Sequence, residues 1–398
     1  MARFSRFHGT VYGPERVDLD SVVAPPYDVV GPAERAELAA RSPYNAILVE
    51  LPEEEGGLDR YRHAADLWAR WHAEEIVATA SQPTLYVYRM TFTEEDGSTR
   101  TTNGVLGALG LDPGHTGEVL PHEETISKDK HDRLSLLRAA RTNFSPIWGL
   151  SLALGLGEWC ERAAAAAGGA YRATDSDGTV HECWAVTDTE LLSQAEALVG
   201  STPVLIADGH HRYETACAYA EEAAGSPGSD AVLALVVELS EHELAVQAIH
   251  RLLTGVSAKD LPGLLAPSFE LAPGPSDPME LRDSMAKVGA LGLVLAGESF
   301  LMSPRPELLA TVEDDLDSSL LGRALENVHG VEVRYQHGAR EVARALSEGE
   351  AAAAVLLRPV SVEQIARTAH GGKRMPPKST FFYPKPRTGM VFRELDAG

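Results

Sequence analysis

The segment Val204-Leu-Ile-Ala-Asp208-Gly-His-His-Arg212-Tyr-Glu-Thr-Ala216 changes its pattern halfway along. Val204 to Ala207 is an apolar run with the length and composition of a short buried strand. From Arg212 to Ala224 the apolar positions recur at helical spacing. Asp208-Gly209 separates the two patterns, and glycine supplies the tight turn that joins them. A strand feeding directly into a helix is the repeating joint of α/β architecture. Strand-like and helix-like patterns alternate on either side of it, so the expected fold class is α+β, a mixed α/β chain.

The joint also carries chemistry. The first N–H groups of a helix lack intrahelical partners and sit at the positive end of its dipole, which makes a site for an anion. Gly209 would let a ligand approach the backbone closely, and His210, His211 and Arg212 fall in the helix's first turn. Arg212 can grip a phosphate or carboxylate through two parallel hydrogen bonds. Asp208, at the carboxyl end of the strand, could hold a magnesium ion or accept a proton. A plain N-cap would account for Asp208 alone and leave the cluster unexplained.

Outward from the joint, Pro32 to Arg41 reads as a helix with proline in its first turn. Leu58 to Glu75 reads as a second helix, whose Tyr61, Ala65, Trp68 and Trp71 make an apolar stripe expected in the core. Leu85 to Phe92 and Arg100 to Leu111 are strands joined by a turn at Glu94–Ser98. Helices are expected over Leu134–Arg141 and Glu158–Ala167, and a buried strand over Asp230–Leu239. After Leu253 proline and glycine rise and chemistry-bearing residues thin out, so a second lobe is expected, with strands near Leu291–Leu295 and Ala352–Leu357. The last segment carries Pro376, Pro377, Pro384 and Pro386 and can be neither continuous helix nor central strand. The expected organisation is 1–253 as a catalytic, anion-binding lobe, 254–370 as a second α/β lobe, and 371–398 as a basic tail returning to the site.

Charge narrows the partners. The chain of 398 residues has a formal charge of −23, which repels nucleic acid and anionic lipid. Within it, Lys128, Lys130, Arg133, Arg138 and Arg141 form one basic island, and Lys373, Arg374, Lys378, Lys385 and Arg387 another. Islands of this kind suit a small anionic metabolite, although solvated faces would look the same. No apolar run approaches the roughly 18 residues that span a membrane, and no signal-like stretch follows Met1. Three cysteines without a CxxC pair argue against disulfides and structural zinc. The expected location is the cytoplasm, and nothing in the sequence sets an oligomeric state.

A second constellation lies at Pro121-His-Glu-Glu-Thr-Ile-Ser-Lys-Asp-Lys130-His-Asp-Arg-Leu134. Here His122 and Glu123 could serve as base or metal ligands, and Lys130 and Arg133 could carry phosphate, though no HExxH spacing is present. Arg141-Thr-Asn143-Phe-Ser145-Pro adds an amide and a hydroxyl. There is no Walker loop, no GxGxxG after a strand and no GxSxG. Cys217 falls within the helix pattern and reads as structural.

Taken in order, Ala24-Pro-Pro-Tyr-Asp-Val29, Leu120-Pro-His-Glu123 with Thr125, Asn143-Phe-Ser-Pro146, Ala207-Asp-Gly-His-His-Arg-Tyr-Glu-Thr-Ala216, His250-Arg251 and Arg374-Met-Pro-Pro-Lys-Ser-Thr-Phe-Phe-Tyr-Pro-Lys385 resemble the family known as domain of unknown function 1015. More distantly, Gly209-His-His-Arg212 followed by Ala216 is similar to the phosphate-binding turn of the ParB/sulfiredoxin superfamily, which includes free-serine kinases. That resemblance implies a ParB/sulfiredoxin-like core. It also implies that Gly209, His210, His211 and Arg212 hold donor phosphates while Asp208 lies at the acceptor or metal. With Lys130, Arg133, Lys378 and Lys385 as cations, and Thr125, Asn143, Ser145, Arg374 and Ser379 as polar ligands, the leading expectation is a small-molecule kinase. Its donor would be ATP, ADP or pyrophosphate with magnesium, its acceptor L-serine, and its carboxylates Asp208 and Glu123 with His122 beside them. Metal-assisted phosphoester hydrolysis and a non-catalytic nucleotide-binding regulator are the alternatives.

Overall fold

The computed structural model describes residues 1–54, 57–94, 97–121, 130–371 and 374–397. They form a mixed α/β chain in two units, one of Met1–Ala245 with Pro384–Gly398 and one of Val246–Tyr383. The segment expected as a single tail is therefore shared. Tyr383 is the last residue of the second unit, and Pro384 returns to the first.

Strands β1 (Leu85–Thr93), β2 (Thr99–Gly110), β3 (Ile147–Ser151), β4 (Val180–Val186), β5 (Val204–Asp208) and β6 (Ala231–Glu238) make the body of a nine-stranded sheet in the first unit. In space they run β5-β3-β6-β2-β1-β4, with Val119–Pro121 beyond β5 and Tyr171–Thr174 beyond β4. β5 is antiparallel to β3 and parallel to Val119–Pro121, while β6 is parallel to β3 and antiparallel to β2. β1 and β2 pair as the hairpin that their composition predicts.

The core of this sheet follows from two periods. Leu85 and Val87, Val204 and Ile206, and Val232, Ala234 and Val236 alternate along their strands and so share one face. Leu156, Trp159, Cys160 and Ala163 recur at helical spacing on the helix Leu156–Ala166, as do Leu192, Ala195 and Val199 on Thr189–Gly200. The two sets pack together, and most of these side chains are fully buried. Full burial of one leucine or valine here contributes about 1.5–3 kcal/mol.

Two helices flank the joint, α1 (Lys130–Ala140) and α2 (His210–Glu222), and Leu137 of one packs against Tyr219 of the other. The returning segment supplies β7 (Phe392–Glu394), which lies between Gly9–Tyr12 and Thr142–Asn143 in a four-stranded sheet. Phe392 is fully buried against Trp68, with ring centroids 4.8 Å apart, and against Tyr12 at 5.4 Å. The tryptophans of the second helix are thus core, as their spacing predicts.

The second unit is built on a six-stranded sheet in which the described pairings are antiparallel. Its strand Leu291–Leu295 is buried along its whole length. Leu291, Leu293 and Leu295 pack with Leu261, Leu265 and Leu320 on one face, and Val294 packs with Leu281, Met285 and Val342 on the other. Helices on both faces explain the continuous apolar run, which needs no polar side.

Candidate functional site

β5 ends in an irregularity. Its register against β3 shifts between Ile206 and Asp208, which bends the strand where the carboxylate emerges. Gly209 follows with φ +87°, a left-handed conformation that caps α2. A Cβ there would lie 3.0–3.1 Å from the Arg212 guanidinium, so glycine serves both the turn and the room for that side chain. The strand–turn–helix joint is the one expected from sequence.

Asp208 is the hub. Its Oδ2 accepts from Arg212 Nη2 at 2.9 Å, and its Oδ1 accepts from Lys385 Nζ. Lys385 also stands 3.5 Å from Asp28, in the short turn Tyr27–Val29 that follows Pro25 and Pro26. Arg212 donates to the Pro146 carbonyl and lies over the Tyr27 ring, with Arg133 nearer to that ring at 4.2 Å. Arg133 donates to Asp132 at 2.9 Å and to the Glu50 carbonyl at 2.7 Å, and lies 3.6 Å from the Glu50 carboxylate. Ser145 donates to that carboxylate at 2.9 Å. Glu50 itself is buried, a charge that ends the otherwise apolar helix Ile47–Glu50.

Electrostatics follow from these contacts. Burial pushes the Asp208 carboxyl up, but Lys385 and Arg212 more than offset it and bring it to about 2. Burial likewise works to lower the Lys385 ammonium, and Asp208 and Asp28 raise it above its ordinary value. Burial lifts the Tyr27 phenol to about 12 against the pull of Arg212 and Arg133. A carboxylate held this acidic is a permanent anion at neutral pH and a weak proton acceptor. Its two oxygens are each taken by a cation, so Asp208 as placed does not fit a resident magnesium ion. Among the described residues no three His, Cys, Asp or Glu side chains gather as a metal site.

Behind Arg212 lies a cavity of about 50 Å³, lined among others by Glu50, Arg133, Ser145, Arg212 and Thr215. It is water-sized rather than ligand-sized. Arg212 Nε and Thr215 Oγ1 are buried there without a hydrogen-bond partner among the described residues. A larger cavity of about 630 Å³, lined by Tyr86, Tyr171 and Thr84 among others, shares no lining residue with this cluster.

The sequence-expected residues fall into four groups. Asp208, Gly209, Arg212, Arg133, Ser145 and Lys385 belong to the cluster just described, and His210 and His211 open α2. Asn143 instead accepts from the Leu233 N–H at 3.1 Å and from Arg393 at 3.2 Å, a tie between strands. Arg374, Lys378 and Ser379 belong to the second unit, where Ser379 donates to the Pro376 carbonyl at 2.7 Å. His122, Glu123 and Thr125 lie outside the described residues, and Lys130 is described only as the first residue of α1. Tyr27, Asp28 and Glu50 were not singled out from sequence. The Pro-Pro turn marked the first two, and a lone carboxylate closing an apolar run marked the third.

Fold and site together define a mixed α/β protein with a charge-compensated cluster at a strand-to-helix joint. The chain belongs to the family described as protein of unknown function (DUF1015), whose model matches residues 4–319. Among solved structures it is similar to a free serine kinase in complex with AMP, at 12% identity and a TM-score of 0.40, over 77% of this chain and 95% of that one. It is also similar to a conserved hypothetical protein from Pyrococcus furiosus, at 14% identity and a TM-score of 0.39, over 71% and 93%. A C-terminally truncated SbnI from Staphylococcus aureus matches at 11% identity and a TM-score of 0.39, over 72% and 86%. No match was found among curated proteins. Similarities of this size carry neither substrate nor mechanism over to this chain. Among the described residues no helix is long and apolar enough to cross a membrane.

Proposed function

We propose that this protein is a cytoplasmic phosphotransferase that moves a phosphoryl group from a nucleotide or pyrophosphate to a small hydroxylated metabolite, with L-serine the first acceptor to test. The observation that carries the reading is one carboxylate, Asp208, shared by two cations, Arg212 and Lys385, at the start of a helix. An anion entering at that helix start competes with Asp208 for both cations. Arg212 offers a planar fork to phosphate oxygens and Lys385 a point charge.

In the transfer, the acceptor hydroxyl oxygen attacks phosphorus in line and the bond to the donor's leaving oxygen breaks. Such chemistry asks for position and for charge over the moving phosphoryl group. His210, His211 and the first N–H groups of α2 would surround the donor, and Asp208 would keep the two cations aimed while the site is empty. Any magnesium would be held by the donor's own phosphates, since both Asp208 oxygens are taken, and would supply charge neutralisation there. The acidity of Asp208 disfavours it as the base, which leaves that role to Glu123 or His122. Arg133 would act by holding Glu50 and Tyr27 in place.

Phosphorus NMR of the full chain with magnesium and ATP, ADP or pyrophosphate, with and without L-serine, tests this. The expected result is a phosphomonoester signal that requires serine and falls by at least about a hundredfold in Arg212→Ala. Phosphate released equally without serine would move the reading to hydrolysis. Binding without turnover of any donor would move it to a nucleotide-responsive regulator.

A further inference from the structure

Lys385 is carried to Asp208 by a short segment with little slack. Pro384 and Pro386 bracket it, fixing φ on both sides and pushing the residue before each proline toward extended backbone. Two residues further on, Arg387 Nε donates to Asp175 Oδ2 at 3.0 Å, and the Arg387 N–H donates to the Tyr88 hydroxyl at 3.0 Å. That hydroxyl lies 2.9 Å from His181 Nδ1, and His181 Nε2 lies 3.0 Å from Asp175 Oδ2. The proton inventory closes. Tyr88 accepts from the backbone, so its single proton goes to Nδ1, and the neutral ring donates from Nε2 to Asp175. His181 is fully buried, and the side chains of Asp175 and Arg387 are 6% and 11% exposed. Thr388 then exchanges two backbone hydrogen bonds with Ala24, at 2.9 and 3.0 Å.

The cluster reaches the candidate site along the backbone, from Arg387 through Pro386 to Lys385. We propose that the Asp175–His181–Tyr88–Arg387 cluster is a clamp that positions Lys385, which makes Arg387 a positioning residue of the phosphate site. The clamp shortens the free length of the strap to the Pro-Lys-Pro bracket, so the ammonium group meets Asp208 without first being ordered. Its consequence for donor binding rests on the phosphotransferase reading; the placement of Lys385 does not.

Two measurements separate those claims. The chain has seven lysines, so lysine-selective carbon labelling gives few side-chain signals, and Lys385→Met assigns the one of interest. In the wild type that signal should stay protonated above the ordinary lysine range of about 10.4. In folded Arg387→Met it should move into the range of the other lysines, and an unmoved signal overturns the proposal. Calorimetric titration with pyrophosphate and with ADP then compares Lys385→Met, Arg387→Met and the double variant. Each single change should weaken binding roughly tenfold, and the double variant should be no weaker than Lys385→Met alone. Losses that multiply would show Arg387 acting independently of Lys385 and sink the clamp. If Arg387→Met does not fold, Tyr88→Phe removes the hydroxyl that joins the Arg387 N–H to His181 Nδ1 and keeps the ring. It should shift the lysine signal in the same direction, and no shift again overturns the proposal. A wild type that binds neither ligand defeats the phosphotransferase reading, while the lysine signal still judges the clamp.

Discussion

Asp208 in the first unit and Asp317 in the second are both carboxylates gripped by arginine, yet they do different work. Asp317 opens the helix Asp317–Leu325 and takes Arg358 through both oxygens, at 2.6 Å from Nη2 and 3.1 Å from Nε. One carboxylate and one guanidinium satisfy each other there, and the Arg358 side chain is 35% exposed. Asp208 instead divides its oxygens between two cations that are 10% and 13% exposed. A closed bidentate pair has nothing to exchange, whereas a shared carboxylate can give up a cation to an incoming anion. The candidate site therefore sits where the pairing is shared, on an irregular strand end, rather than at a closed pair on a helix start.

The largest test of that contrast is removal of the shared carboxylate. Asp208→Ala takes from two mostly buried cations the carboxylate they share and should destabilise the first unit by about 3–5 kcal/mol, toward the lower figure because Lys385 keeps Asp28 and Arg212 keeps the Pro146 carbonyl. All five tryptophans lie in that unit, so fluorescence-detected urea unfolding reports it directly. A loss below 1 kcal/mol would make Asp208 an ordinary cap.

Acid separates the units next. Burial and the neighbouring Arg251 lower His250 in the second unit to about 3, and its Nδ1 accepts from the Leu357 N–H at 3.2 Å. The unfolded chain takes up a proton near pH 6.5 that the folded unit refuses until about 3. Stability should therefore fall as pH drops through that window, by about 1.4 kcal/mol per pH unit. Asp208, depressed to about 2, contributes stability that is lost only from about pH 4 downward. His181 works in the same direction as His250 within the first unit, so the readout must be local. Hydrogen exchange along Ile249–Thr254 should show the window in the wild type, and His250→Gln should flatten it.

Smallest of all should be the surface pairs. Arg344 meets Glu341 and Glu348 at 2.9 Å on an exposed helix face. Arg344→Ala should leave the melting temperature within error at moderate salt, and a clear drop would mean that exposed pairing matters here more than burial.

Much of the secondary structure was legible before any coordinates. The hairpin at Leu85–Gly110, the helix Arg60–Ala73 and the fully apolar strand Leu291–Leu295 follow from composition, period and turn signals along the chain. The candidate site was legible in part. Asp208, Gly209 and Arg212 announced themselves through their spacing, and Lys385 through its place in a basic, proline-pinned segment. Asp175 carried no comparable signal, because an isolated charged residue looks the same in sequence whether it ends in solvent or in a buried pair.

By itself the sequence determined the strand–Asp–Gly–helix joint, since a short apolar run giving way to a 3.6 period across Asp208-Gly209 is encoded by neighbours along the chain. Only the tertiary structure decided that Lys385 meets Asp208 across 177 residues and that Arg387 meets Asp175 across 212. The physical reason is range. Backbone period and turn chemistry act over a few residues, whereas which charges lose their water together depends on how sheets and returning segments close around them.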